Sequence, residues 1–417
     1  MKLIGPQMGI RLEDNLLLCL SRANIDSERA EKIKGLLRND INWQYLIQMA
    51  LRHGLVALLY RNLKSTQSKA IPSEALDQLQ KYFIMNAGRN IFLNEELVKL
   101  LNVFEVHGIL AVPYKGPALA ASIYGDIALR QFSDVDILIQ KQDILKAKDL
   151  IVPLGYRPHF QLTSVNAKSY IKSQYGLSFT RHDGRVNLEL QWEITPYYFN
   201  FSIPSLYLWE SLERSSRRDS GFWKLSPEIE LIIICVHGTK DRWTRLLWIC
   251  DVAELVRIND KLDWDRVLRL SYTLSCLRML FLGLYLAKDL LGASIPVEVM
   301  KKIESDLMVK RLAKQVRHQL FNGSNGSRSI FKSSLFHLKT REHLRDQIQY
   351  CLRFALMITP GDLTLFPLPK YLLPLYYIIR PMRLMVKYWI RPLERFLMVS
   401  KIFLKRIQSQ VPNFLDH

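Results

Sequence analysis

The chain contains few cysteines, five among 417 residues, and their spacing matches no metal-binding motif. The odd count also argues against a complete set of disulfides. We therefore expect buried, reduced thiols of the kind found in cytoplasmic proteins. The five are scattered through apolar stretches that read as helices: Cys19, Cys235, Cys250, Cys276 and Cys351.

Long apolar runs are also missing. No segment approaches the roughly 18–20 uninterrupted apolar residues that cross a bilayer. The first residues lack the apolar region and small-residue cleavage site of a signal peptide. We expect a cytoplasmic protein, with peripheral attachment to the inner face of the membrane as an open alternative. The apolar content of 49% is ample for real cores, and a disordered chain is excluded.

Acidic residues are fewer than basic ones, 39 against 58, which gives a formal net charge of +19. A charge this positive indicates an anionic partner such as a phospholipid surface, a nucleic acid or another polyanion. We find no zinc-finger spacing, no RNA-recognition aromatic motif and no helix-turn-helix signature. Nucleic acid therefore stays open as a partner but is not favoured.

Positive charge is concentrated at the C-terminal end. From Phe366 onward there are nine basic residues, and only Glu394 and Asp416 carry the opposite sign. The cations alternate with aromatic and aliphatic residues, which resembles amphipathic helices lying on an anionic membrane surface. A basic helix pair packed on the body of the protein is slightly favoured over this interpretation, because prolines such as Pro381 divide the segment into short helices.

Two aspartates, Asp134 and Asp136, stand at the head of an apolar, β-branched run that ends at Ile139. Side chains of a strand alternate between its faces, so both carboxylates project from one face. Like charges this close repel each other unless a cation neutralises them. Their oxygens suit Mg²⁺ or Mn²⁺, and we expect two ions bound together with substrate phosphates. The alternative is a solvated strand end.

A phosphate-binding turn is predicted just upstream of this pair. Residues 109–113 read as a short strand, which Gly116 and Pro117 end before a helix begins. The free N–H groups of a helix start favour an anion. Lys115 and Arg130 would add positive charge for a chain of phosphates. The alternative role for both cations is surface solubility.

A hairpin supplies a third carboxylate. Asp183 and Gly184 form a turn typical of hairpins, between strands at residues 177–181 and 185–192. Glu189 lies on the polar face of the second strand, which could pair beside the strand of the aspartates. Three carboxylates on adjacent strands, opposite a glycine-containing helix start, are what two-metal nucleotidyl transfer requires. The alternative for Glu189 is an exposed strand residue.

Further polar residues follow on two predicted helices, one from Ser226 to a glycine end at Gly238 and one from about Trp243 to Ile258. Asp251 lies on the apolar face of its predicted helix and therefore needs a cationic partner. Lys240, Arg242 and Arg245 are candidates for that partner. His237 and this basic cluster are predicted to line the nucleotide cleft. The alternative is a buried structural ion pair with a helix-capping histidine.

In this order the segments resemble the uncharacterised bacterial nucleotidyltransferase family of the DNA polymerase β-like superfamily. The likeness is strongest over about residues 90–290. It rests on residues 115–119 (KGPAL), 124–126 (YGD), Arg130, 133–138 (SDVDIL), 154–156 (LGY), 189–192 (ELQW), 237–238 (HG), 242–243 (RW), 246–249 (LLWI), 251–253 (DVA), 372–377 and 380–381.

The resemblance implies roles for individual residues. Asp134, Asp136 and Glu189 fall on the metal-binding carboxylate positions, with Glu189 alternatively the base for the acceptor. The implied nucleotide- and phosphate-binding residues are Lys115, Gly116, Arg130 and Ser133.

The chain departs from the family pattern at two positions. The turn carries Lys115 before its glycine, where active superfamily members usually have Gly-Ser or Gly-Gly. Gln191 stands where many members of the nearer family have histidine.

The sequence as a whole predicts a metal-dependent nucleotidyltransferase. It would move a nucleoside monophosphate from an NTP to an unknown hydroxyl or phosphate acceptor and release pyrophosphate. The alternatives are a non-catalytic binding or adaptor protein on the same fold, peripheral to an anionic membrane, and an RNA-directed nucleotidyltransferase.

The predicted fold class is α+β, with a small mixed-sheet core embedded in a mostly helical chain. The predicted parts are a helical N-terminal region (1–90), the α/β core (91–200), a helical domain (201–320), a linker (321–335) and a basic helical C-terminal segment (336–417).

Overall fold

The structure is a computed structural model, which describes residues 11–162, 167–214, 222–322, 330–356 and 375–385. It has the predicted α+β organisation, in which one small mixed sheet is surrounded by helices. Within these ranges, no helix combines the length and apolar character that crossing a membrane requires.

The chain begins with five helices, in the region that the sequence predicts to be helical. Side-chain caps fix two of their starts, since Asp26 accepts from the backbone N–H of Arg29 and Asn42 from that of Tyr45. The helices are α1 (Leu12–Leu20), α2 (Ser27–Leu36), α3 (Trp43–His53), α4 (Val56–Thr66) and α5 (Ser73–Val106).

A five-stranded mixed sheet follows. Its strands are β1 (Ala111–Pro113), β2 (Val135–Ile139), β3 (Tyr156–Pro158), β4 (Gly176–Arg181) and β5 (Asn187–Gln191). The spatial order is β1-β2-β5-β4-β3, and β2 and β5 are parallel whereas the other neighbours are antiparallel. The intervening helices are α6 (Gly116–Tyr124), α7 (Ile144–Ile151) and α8 (Ala167–Ser173).

The two faces of this sheet have different surroundings. Val135 and Ile137 of β2 and Leu188 of β5 pack in one core with Leu97 and Phe104 of the long helix α5. The opposite face carries the polar side chains of both strands. The period of two that the sequence predicts therefore places the acidic residues on the face away from α5.

The rest of the described chain is mainly helical. A short helix α9 (Ser205–Trp209) and a two-stranded sheet of β6 (Glu213–Arg214) and β7 (Trp223–Lys224) come first. The later helices are α10 (Pro227–Lys240), α11 (Leu246–Ile258), α12 (Trp264–Thr273), α13 (Leu277–Leu291), α14 (Val297–Ser305), α15 (Leu307–Phe321), α16 (Ile330–Lys339), α17 (Leu344–Leu356) and α18 (Tyr376–Met385).

One hydrophobic core unites helices α1–α4 with α10–α15. Leu16, Leu58, Leu247 and Leu284 are among its fully or nearly fully buried members. The helices that precede the sheet thus pack against the helices that follow it. The domain boundaries read from the sequence stay predictions.

Helix α10 continues past Gly238, where the sequence suggested its end. A Cβ atom at this position would lie 2.6 Å from the ring of Trp243, which is fully buried. The glycine is therefore required for close packing of the α10–α11 turn and not for ending the helix. Helix α11 correspondingly begins at Leu246 and not at Trp243.

Three other expectations differ from the structure. Helix α16 begins at Ile330, inside the predicted linker, and Pro381 lies within α18 instead of ending it. Cys351 is exposed on α17, whereas the other four cysteines are buried as expected. Most of the predicted basic C-terminal segment lies outside the described residues.

Candidate active site

A cleft of about 260 Å³ opens between the polar face of the sheet and the facing ends of α10 and α11. Ten of the eleven site residues selected from the sequence line it: Lys115, Gly116, Arg130, Ser133, Asp134, Asp136, Glu189, His237, Lys240 and Arg245. The eleventh, Asp251, is buried and hydrogen-bonds to Arg130. The structure therefore brings the predicted acidic and basic residues to one place.

The parallel pairing of β2 with β5 positions the three carboxylates. Asp136 is directly opposite Glu189 in the register, and Asp134 stands one residue before β2 begins. Asp136 is buried, whereas Asp134 is partly exposed toward the cleft. Residues opposite one another on neighbouring strands project to the same face, so all three carboxylates line the cleft.

Gln191 links two of these carboxylates. Its amide Nε2 donates to Asp136 Oδ1 at 3.0 Å and to Glu189 Oε2 at 2.5 Å. Its Oε1 accepts a hydrogen bond from the buried Tyr114 hydroxyl. The side chain is thereby fixed in one orientation, with the amide nitrogen between the two acids.

The ammonium of Lys115 also reaches this group. Its Nζ lies 3.9 Å from Asp136 Oδ1 and 4.6 Å from the centre of the Tyr114 ring. Burial would lower the pKa of Lys115, but the neighbouring Tyr114 and Asp136 raise it above its ordinary value. Lys115 is therefore a permanent positive charge at the acidic cluster.

The acidic cluster remains electrostatically costly despite that charge. The pKa of Asp136 is raised to about 7, chiefly because burial disfavours the ionised carboxylate. Lys115 opposes the rise, and the charges of Asp134 and Glu189 add to it. An additional cation at this site would stabilise the ionised carboxylates.

The carboxylate oxygens are ligands that Mg²⁺ and Mn²⁺ prefer, and some of these oxygens are free to bind a metal ion. Among the described residues, none donates a hydrogen bond to the carboxylate of Asp134 or to Asp136 Oδ2. In the described ranges, however, there is no group of three or more His, Cys, Asp or Glu side chains that is placed to hold a metal ion. The Gln191 amide, which lies between Asp136 and Glu189, is one physical reason for this.

The start of α6 lies at the same cleft. No side chain caps it, and Gly116 lines the cleft with its backbone in the left-handed region at a φ of +50°. A Cβ atom there would lie 2.9 Å from the carbonyl oxygen of Asp134. Only glycine fits this close approach, which joins the predicted phosphate turn to the head of β2.

The ion pair of Asp251 corrects the sequence interpretation. Its carboxylate binds Arg130 through two hydrogen bonds, Nε to Oδ1 at 2.9 Å and an η nitrogen to Oδ2 at 2.8 Å. Tyr124 also donates to Oδ1, at 3.0 Å. The sequence named three other cations as candidate partners. Arg130 lines the cleft, but its guanidinium is paired with the buried carboxylate of Asp251. It therefore has a structural role in addition to any contact with a ligand.

The opposite wall of the cleft is basic. Burial, together with Lys115 and Lys240, lowers the pKa of His237 well below its ordinary value, so the imidazole is neutral at pH 7. Asp241 lies 3.5 Å from His237 Nδ1 and 3.8 Å from Lys240 Nζ. Arg245, just before α11, is exposed to the cleft. This wall can bind an anion that faces the carboxylates.

Sequence reasoning missed several cleft residues. Gln191 lines the cleft on the same strand face as Glu189, so the alternation that selected Glu189 could also have selected it. Tyr114 does not line the cleft but holds Gln191 from behind, and it stands directly before Lys115. Tyr175, Asp241 and Trp248 also line the cleft. Trp248 lies in one of the segments that carry the resemblance but was given no role, and no motif marks Tyr175 or Asp241.

A family model described as uncharacterised nucleotidyltransferase matches residues 39–292, more than half of the chain. This range contains every residue that lines the cleft. No curated protein and no solved structure matches the chain significantly. With its mixed sheet, its three carboxylates in one cleft and this match, the chain belongs to the uncharacterised nucleotidyltransferase family.

Proposed function

We propose that the cleft binds an NTP with Mg²⁺ or Mn²⁺ and transfers its nucleoside monophosphate to a hydroxyl or phosphate acceptor. The observation that carries this proposal is the register of β2 and β5. It sets Asp136 opposite Glu189, with Asp134 at the strand head and the uncapped start of α6 beside them. Family membership supports the general reaction, and the carboxylates support its dependence on a metal.

In the proposed reaction, the acceptor oxygen forms a bond to the α-phosphorus while the bond from that phosphorus to the bridging oxygen breaks. Pyrophosphate leaves with that oxygen. A hydroxyl acceptor also gives up a proton, which Glu189 takes, since its Oε1 has no hydrogen-bond partner among the described residues. A bound divalent ion would neutralise charge on the phosphates.

The other residues of the cleft bind and orient the substrate. Asp134 and Asp136 would hold the ion, and the backbone at Gly116 would face the phosphates. Lys240 and Arg245 contribute positive charge from the opposite wall, where they contact the triphosphate or an anionic acceptor. Arg130, fixed by Asp251, presents its charge from a rigid position.

A thermal-shift comparison tests this proposal. ATP, GTP, CTP and UTP are each added with Mn²⁺, with Mg²⁺ or with a chelator. At least one NTP is expected to raise the melting temperature with the metal, and less so with the chelator. A ligand at a hundred times its Kd stabilises the folded state by about 2.7 kcal/mol. If no NTP shifts the transition under any condition, nucleotide binding at the cleft is wrong.

A second candidate function, attachment to an anionic membrane surface, is favoured by helix α17. Four apolar side chains recur at every fourth position along it and are 38–70% exposed: Leu344, Ile348, Leu352 and Leu356. Neighbouring helix α18 exposes Tyr377, Ile378 and Met382. The chain from residue 366 onward is strongly basic, so its charge complements anionic phospholipid, which we propose as the occupant of this apolar face.

Replacing Ile348 and Leu352 together by glutamate is expected to weaken vesicle binding at least tenfold. Two apolar side chains that would enter the interface are lost, and two negative charges are added. The full-length protein is sedimented with phosphatidylglycerol vesicles at low and high salt. High salt is expected to release the wild type because it screens the basic charges.

The matched control replaces Ile84 and Ile91 of α5, which are similarly exposed, by glutamate. If this control loses binding equally, the α17 face is not the docking surface. If the wild type ignores the vesicles but binds RNA with a steep salt dependence, the RNA-directed alternative gains support instead.

A further inference from the structure

The oxygens around Asp136 are unequally occupied. Asp136 Oδ1 receives both the Gln191 amide at 3.0 Å and the Lys115 ammonium at 3.9 Å. Glu189 Oε2 receives the same amide. Within the described part of the chain, Asp136 Oδ2 and both carboxylate oxygens of Asp134 accept no hydrogen bond, although the charge of Arg130 acts on Asp134. The space between Asp136 and Glu189 is therefore already filled by protein donors, whereas the side toward Asp134 is open.

We propose that Lys115 serves as a built-in cation that replaces one of two metal ions, so the cleft binds a single divalent ion with its nucleotide. This inference rests on the proposed function and makes it more specific. The single ion would be held by Asp134 and the free oxygen of Asp136. The ammonium supplies the positive charge on the side of Glu189.

The surroundings of Lys115 suit a fixed charge. Its side chain is only 14% exposed, and its ammonium lies over the Tyr114 ring. Tyr114 in turn donates to Gln191, which bridges the two acids. Lysine, tyrosine and glutamine thus form one connected group around Asp136. A second ion beside Asp136 would have to displace the ammonium from the oxygen that it contacts.

Charge makes that displacement unfavourable. An ammonium and a divalent ion a few ångströms apart repel strongly in a poorly solvated cleft. Lysine at this position of the turn thereby acquires a specific role. It limits the cleft to one divalent ion, and Asp134 is the carboxylate that remains available to bind that ion.

Counting bound Mn²⁺ by electron paramagnetic resonance, with saturating non-hydrolysable ATP analogue, tests this inference. The wild type is expected to bind one ion per chain, and Lys115→Met is expected to bind two. Lys115→Arg retains the charge and is expected to bind one. Lys148→Met is the matched control, since it removes a similarly buried ammonium that pairs with Asp149 outside the cleft, and it is expected to bind one.

Other counts would overturn the inference. Two ions in the wild type, or one ion in a folded Lys115→Met variant, would show that Lys115 does not replace a metal. An unfolded Lys115→Met variant leaves the wild-type and Lys115→Arg counts to decide, and two ions in either would be sufficient to reject the idea. No nucleotide-dependent Mn²⁺ in any variant would overturn the proposed function together with this inference.

Discussion

Replacing Asp134 and Asp136 together by asparagine is expected to abolish stabilisation by NTP and Mn²⁺ while the protein stays folded. Asparagine keeps the shape of each side chain but removes the charge that a divalent ion requires. The thermal shift of the wild type should therefore disappear at the same ligand concentration. The matched control is Asp149→Asn, which removes an exposed carboxylate that is paired with Lys148.

Folding stability gives this prediction a second measurement. Because the pKa of Asp136 is raised from 3.8 to about 7, its folded-state contribution to stability falls as the pH rises from about 4 to 7. At pH 8 the double variant no longer has to keep that carboxylate ionised and should unfold at the same or a slightly higher temperature. An unfolded variant would indicate a structural role for the pair. A variant that still binds NTP and Mn²⁺ like the wild type would contradict the metal site.

Asp251→Asn is expected to reduce the free energy of unfolding by about 3 kcal/mol, because Arg130 would keep its charge in a buried site without an opposite charge. Burial alone would lower the pKa of Arg130, but Asp251 raises it above its ordinary value, so the guanidinium stays charged. Urea unfolding monitored by circular dichroism measures this effect.

Two further variants separate ion pairing from general damage. Glu298→Gln breaks the exposed pair with Lys301 and should change the unfolding free energy by less than about 1 kcal/mol. Arg130→Met in the Asp251→Asn background removes the unpaired charge and should recover part of the loss. If Asp251→Asn is no more destabilising than Glu298→Gln, the pair does not hold the cleft together.

The acidic side of the cleft was largely predictable because strands repeat every two residues. This period placed Asp134 with Asp136 and set Glu189 on the polar face of its strand. The Asp183–Gly184 turn defined the hairpin, so the position of Glu189 along its strand followed. The sequence left pairing with the strand of the aspartates as a possibility, and the structure shows β5 parallel to β2 with Glu189 opposite Asp136.

The basic side was less predictable because its contacts join distant parts of the chain. Arg130 and Asp251 are 121 positions apart, and no local pattern distinguishes Arg130 from the other cations near Asp251. Gly238 was read as a helix end because glycine often has that role. Only the packing of Trp243 reveals its actual requirement.

Gln191 illustrates a different limit. The sequence shows that it shares a face with Glu189, but it does not show which neighbour its amide contacts. The buried Tyr114 hydroxyl decides this by holding the amide oxygen, which directs the nitrogen toward the acids. Such an orientation depends on three strands at once, β5, β2 and the end of β1.

The most direct measurement of the central claim follows the phosphorus label of an NTP. The protein is incubated with Mg²⁺, a cell-derived pool of small-molecule acceptors, and NTP labelled at either the α- or the γ-phosphate. Transfer of a nucleoside monophosphate predicts that α-label enters a new product while pyrophosphate carries the γ-label, and that Asp134→Asn with Asp136→Asn abolishes both. A product labelled only from the γ-phosphate, or no product from any of the four NTPs, would contradict nucleotidyl transfer.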